Sequence, residues 1–205
     1  MSGILGNLRT TLLLSLVLAL VVVLGYGFHT GAFEGGMDWG FAEAVTRWVH
    51  VVLGILWIGL LYYFNFVQIR VMPDIPVELK PAVTKFIAPE ALFWFRWAAL
   101  LTVLSGVLLA WLRGYLLSAL QLGADAGFAD PKVTFIGLGM WLALIMFVNV
   151  WLVIWPNQRV ALGMVERDAE AKARAAKTAM LFSRINTLLS LPMLATMAMN
   201  QTLFG

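Results

Sequence analysis

Five stretches of this chain are long and apolar enough to cross about 30 Å of hydrocarbon, which takes roughly 20 residues of helix at 1.5 Å each. They lie near residues 10–28, 44–68, 91–112, 133–155 and 181–203. With 61% hydrophobic and 12% charged residues among 205, the chain falls far outside the range of soluble domains. The sequence therefore predicts an all-α integral membrane protein, one domain over 1–205 built as a bundle of five transmembrane helices. The first run exceeds the 7 to 15 apolar residues typical of a signal peptide, and Gly25, Tyr26, Gly27 and Phe28 make a poor cleavage site, so it is read as a retained helix.

Basic residues set the expected orientation. Five spans place the amino terminus and the second and fourth loops on one side, with Arg9, Arg70, Lys80, Lys85, Arg96, Arg159, Arg167, Lys172, Arg174, Lys177 and Arg184. The other side has Arg47, Arg113 and Lys132 against Glu34, Asp38, Glu43, Asp125 and Asp130. The positive-inside rule then predicts a multi-pass membrane protein with a cytoplasmic amino terminus and its carboxyl terminus on the outer side. The basic balance is accounted for by this asymmetry and by anionic membrane lipids, leaving no case for nucleic acid. The absence of cysteine excludes disulfides, iron–sulfur clusters and covalent c-type haem, so a redox role needs a non-covalent cofactor.

The loops differ in kind. Residues 29–43, with Gly31, Gly35, Gly36 and Gly40, predict a compact turn that makes the first two helices antiparallel neighbours and brings His29 and His50 to adjacent helix ends. Loop 2 holds Pro73, Pro76, Pro81 and Pro89 and is expected to contain at most a short helix. The Ala-rich, mixed-charge segment 166–180 should continue as a helix that projects into the cytoplasm or lies on the membrane surface there. Helices 2 and 4 echo each other, each with a Gly near one end, Asn65 or Asn149 deep in the apolar run, and a closing Pro.

Residues 47–68 carry a polar stripe: Arg47, His50, Gly54, Asn65 and Gln68 share about a quarter of the helix surface at 100° per residue. Lipid does not tolerate such a stripe, so it faces protein, water or a cofactor. The sharp reading is axial ligation of a haem b iron by His50, with Gly54 one turn deeper giving the macrocycle room and Arg47 pairing with a propionate. The second ligand would be His29 or one of Met140, Met197 and Met199. The plainer reading is an interfacial histidine bonded to a backbone carbonyl or to a carboxylate such as Glu43. Two stacked haems need two His on each of two helices, a pattern this chain lacks, and a zinc or copper site has no i, i+4 ligand pair. Helix 5 has a second stripe, Ser183, Thr187, Ser190 and Gln201 with Asn200 beside it, which suits helix packing. Asn65 and Asn149 each need a partner, either one another or a ligand.

The stretch from Arg47 through His50, Gly54 and Trp57 to Gln68 resembles the opening helix motif of the membrane domain of the bacterial cytochrome-c-linked urate oxidase (urate hydroxylase) family. Similar blocks are Ala91–Trp97, Trp155–Arg159 and Ser183–Thr187 with its run to Asn200 and Gln201. The resemblance implies a polytopic inner-membrane module of an oxidoreductase that passes electrons from urate to a cytochrome c. It places His50, Arg47, Trp57 and Asn65 at motif positions. Family members end in a cytochrome domain with a Cys-x-x-Cys-His site. This chain has no cysteine, so the acceptor would be a separate cytochrome c or another part of a larger membrane complex. Cations suited to a urate anion are limited to Arg47 and Arg96. Two functions are consistent with these features: a haem b-binding electron-transfer or redox subunit, and a non-catalytic transmembrane accessory subunit packed against a larger complex.

Overall fold

A computed structural model describes residues 5–34 and 38–204, so the middle of the 29–43 turn, with Gly35 and Gly36, lies outside the described residues. The described residues are predominantly helical, with no strand among them. Helix α1 is Leu8–His29, α2 is Trp39–Asp74, α3 is Lys80–Leu112, α4 is Pro131–Ala161 and α5 is Ala169–Phe204. Helices α1 to α4 have the length and apolarity to cross a membrane, with mean hydropathies of 2.5, 1.8, 1.8 and 2.2. At 36 residues α5 is long enough, but Ser, Thr and Asn along one face dilute its apolar character. The chain forms two compact units, Met1–Trp48 and Val49–Gly205.

In the first unit α1 starts where Asn7 Oδ1 accepts the backbone N–H of Arg9 at 3.0 Å and of Thr10 at 3.4 Å, filling two of the donors a helix start leaves open. Near its end Gly27 is buried beneath Phe33 and Phe41, and a Cβ there would meet both rings at 2.9 Å or less. Asp38 Oδ1 accepts from Gly40 N–H at 2.8 Å at the opening of α2.

The second unit is a bundle around Trp57, Leu61, Phe64, Phe95, Ala99, Met146, Val150, Ile154 and Met193. Three of its helices each contain a π turn: Tyr63–Gln68 in α2, Val83–Ile87 in α3 and Asn149–Ile154 in α4. A π turn inserts one residue into the ladder and rotates the helix beyond it, which lets a long helix re-aim a side chain without breaking. The stretch expected to be loop is partly helix, because α3 begins at Lys80 and includes Pro81 and Pro89. Pro81 stands in the first turn of α3, where a missing N–H costs little, and Pro89 follows directly on the π turn, where the regular ladder is already interrupted. The segment 169–180 continues α5 as the sequence predicts, with Asp168 Oδ1 accepting from Ala171 N–H at 2.7 Å. Between α3 and α4 a short helix, Leu116–Leu120, lies so close to α4 that a Cβ on Gly137 would come within 2.3 Å of Ala119 O. Only glycine fits there.

Candidate functional site

His50 lies on the part of α2 that belongs to the second unit, half-buried against α3. Its Nδ1 is 2.9 Å from Thr102 O and 3.2 Å from Ser105 Oγ. Ser105 Oγ already donates toward Leu101 O at 2.7 Å and Thr102 O at 3.0 Å, and a carbonyl only accepts, so the proton of this contact sits on Nδ1. That tautomer leaves the lone pair on Nε2. The ring fits here because of Gly106, where a Cβ would be 2.9 Å from His50 Cε1. Thr102, Ser105 and Gly106 thus form a shelf on α3 that fixes both the orientation and the protonation of the imidazole.

Deeper in the bundle, amides join α5 to its neighbours. Asn149 Nδ2 donates to Asn186 Oδ1 at 2.9 Å, and Asn186 Nδ2 donates to Met146 O at 2.9 Å. Asn186 is wholly buried. Asn65 makes a different junction, with Nδ2 donating to Ser183 Oγ at 2.8 Å and to Leu61 O at 2.9 Å while Oδ1 is buried without a partner. One turn on, Gln68 Oε1 is also buried and unpaired, as are Trp57 Nε1, Arg96 Nη1 and Trp151 Nε1. The phenol of Tyr62 and Ser190 Oγ share a 2.9 Å hydrogen bond. Asn200 Nδ2 donates to Lys132 O at 2.9 Å near the other end of α5.

The residues that stand out in the sequence are divided between the two units. His29 ends α1 and is exposed, and Arg47 forms an ion pair with Glu43 one turn earlier; both lie in the first unit. Gly54 faces α3, where a Cβ would find Thr102 Cγ2 at 3.8 Å. Asn65 is held by α5, and not by Asn149. Met197 packs on the core and on Gly139 of α4, Met140 is half-buried and Met199 is exposed. The buried face of α5 runs through Ser183, Asn186, Ser190, Met193, Thr196 and Asn200, whereas Gln201 is exposed. Asn186 is the residue that the sequence reading misses, although its place three residues after Ser183 and four before Ser190 puts it on that stripe.

This fold and polar interior define a helical membrane protein. Residues 113–203, a little under half of the chain, match the family model described as urate oxidase N-terminal, the same family that the sequence resembles. The match takes in Trp155–Arg159 and Ser183–Thr187. The His50 motif and Ala91–Trp97 lie before it. No curated protein and no solved structure matches the chain.

Proposed function

We propose that this chain is a five-span bacterial inner-membrane redox subunit, amino terminus cytoplasmic, in which His50 holds a haem b iron through Nε2. The observation that carries the reading is the bond from Nδ1–H to Thr102 O, since a histidine that ligates iron through one nitrogen characteristically gives its other N–H to a carbonyl. A haem so bound would supply a one-electron store. The chain's own contribution is the shelf of Thr102, Ser105 and Gly106, which sets the tautomer and keeps the ring from turning. The family match supports an oxidation of the urate oxidase type, with electrons leaving to a separate cytochrome c or a larger membrane complex. His29 is the proposed second ligand, Arg47 and Gly54 flank His50 along α2, and Asn65 belongs to the same stripe.

Oxidised and dithionite-reduced spectra of the mildly solubilised protein, with a pyridine haemochrome assay, test this directly. Stoichiometric b-type haem that is lost in His50→Ala is the expected result. A flat visible spectrum in assembled, cofactor-replete material would overturn it. One observation favours a second reading as an accessory subunit: the amides of α4 and α5 are used in joining helices. Under that reading His50→Ala leaves assembly and all optical properties unchanged.

A further inference from the structure

Arg96 sits near the start of the apolar part of α3, at the end of the bundle where residues 75–79 and 162–168 connect helices. Its guanidinium carbon lies 3.7 Å from the centre of the Trp155 ring on α4 and 5.7 Å from that of Phe93. Stacking of this kind holds a planar cation by its face and leaves its N–H edge free to point elsewhere. Here Nη1 is buried and has no acceptor. Arg159, one turn beyond Trp155 on the same helix, is exposed, and its charge acts on Arg96. Neither arginine is in an ion pair with a carboxylate among the described residues. The acid nearest in sequence, Glu90, accepts instead from Trp94 Nε1 at 2.9 Å.

A buried guanidinium N–H without an acceptor forfeits the hydrogen bond it had in water, and a second cation on the helix it stacks against adds like-charge repulsion. Both penalties vanish when an oxyanion sits between the two side chains, because an arginine edge matches the paired oxygens of phosphate and the second cation adds to the field. Met164 N–H and Val165 N–H both bond Arg159 O, at 2.9 and 3.2 Å, which turns the backbone away just after Arg159. Arg47, the other cation that the sequence offers an anion, is already paired with Glu43.

The geometry points to a phosphate-binding site formed by Arg96, stacked on Trp155, together with Arg159. The phosphate of an anionic lipid headgroup and free inorganic phosphate present the same chemistry to it. Basic recesses between membrane helices at a headgroup level commonly hold the former. The site is independent of haem at His50.

Native mass spectrometry of the full chain, released from nanodiscs of phosphatidylglycerol or of phosphatidylcholine, reads lipid occupancy, and thermal melting in detergent with added sodium phosphate reads the free ion. Wild type should retain phosphatidylglycerol at least about tenfold more than phosphatidylcholine, or melt at a higher temperature with phosphate but not with chloride at equal ionic strength. The first result identifies the lipid as the source and the second the free ion. Arg96→Gln and Arg159→Gln should each abolish the preference, while Arg113→Gln, which removes one charge at the far end of α3, should leave it intact. Arg159 is outside the stack, so its variant keeps the test valid even if loss of Arg96 impairs folding. Equal retention of both lipids together with no specific phosphate effect, or unchanged binding in Arg159→Gln, would overturn the proposal.

Discussion

Helices α2 and α4 make the same move with opposite outcomes. Each has a glycine about three turns before a deep asparagine, a π turn around that asparagine and a contact from it to α5. At α4 the fit is closed. A Cβ on Gly139 would land 2.1 Å from Thr196 Oγ1, and Asn149 and Asn186 leave no buried polar atom unpaired among the described residues. At α2 the fit is open. A Cβ on Gly54 has 3.8 Å to Thr102 Cγ2, and both Asn65 Oδ1 and Gln68 Oε1 are buried with nothing to accept from. A polar group in an apolar interior costs free energy unless it is hydrogen-bonded, so the first junction acts to hold helices together and the second keeps acceptor capacity in reserve.

The two glycines should break this comparison most sharply. Gly139→Ala forces a methyl against Thr196, whose Oγ1 is itself tied to Met193 O at 2.8 Å, and overpacking of this kind should cost about 3 kcal/mol. Gly54→Ala should change stability by under about 1 kcal/mol, within the ordinary helix-propensity difference. Thermal or denaturant unfolding in one detergent checks both, and equal losses would remove the distinction. Next in size, Asn186→Ala strands Asn149 Nδ2 in the interior, while Met146 O keeps the backbone N–H of Asn149, and should cost about 2 kcal/mol. Asn65→Ala removes the bonds to Ser183 and Leu61 O but also an unpaired buried carbonyl, so its net cost should stay below about 1 kcal/mol. A readout other than stability is expected of Gly106→Ala. It pushes on His50 Cε1 and should shift the absorption of any haem bound there while leaving assembly intact.

Much of the architecture is legible in the sequence because hydrocarbon imposes strict length and polarity rules. Four of the apolar runs emerge as helices of span length, and the Ala-rich segment after Asp168 emerges as the start of α5. The π turns are not legible, since nothing in local composition marks an inserted residue, and they shift the faces of Asn65 and Asn149 away from a uniform 100° count. The same count puts Gln201 on the buried stripe of α5. In the structure the stripe runs by spacings of three and four residues through Asn186 to Asn200, so Asn200 is the buried one. Loop 2 misleads for a related reason: a proline disfavours a regular helix interior, but Pro81 stands at the start of α3 and Pro89 directly after its π turn. His50 is legible as a polar residue in an apolar helix. Its shelf on α3 is not, because contacts between distant helices are not written in either one alone.

A pair of double-mutant cycles tests the central claim, that one amide junction is structural and the other is held open. The coupling energy between Asn149→Ala and Asn186→Ala is set beside that between Asn65→Ala and Ser183→Ala, both from unfolding of the purified protein. The account predicts about 1.5 kcal/mol for the first pair and less than about 0.5 kcal/mol for the second. Equal couplings, or a stronger one at Asn65, would contradict it.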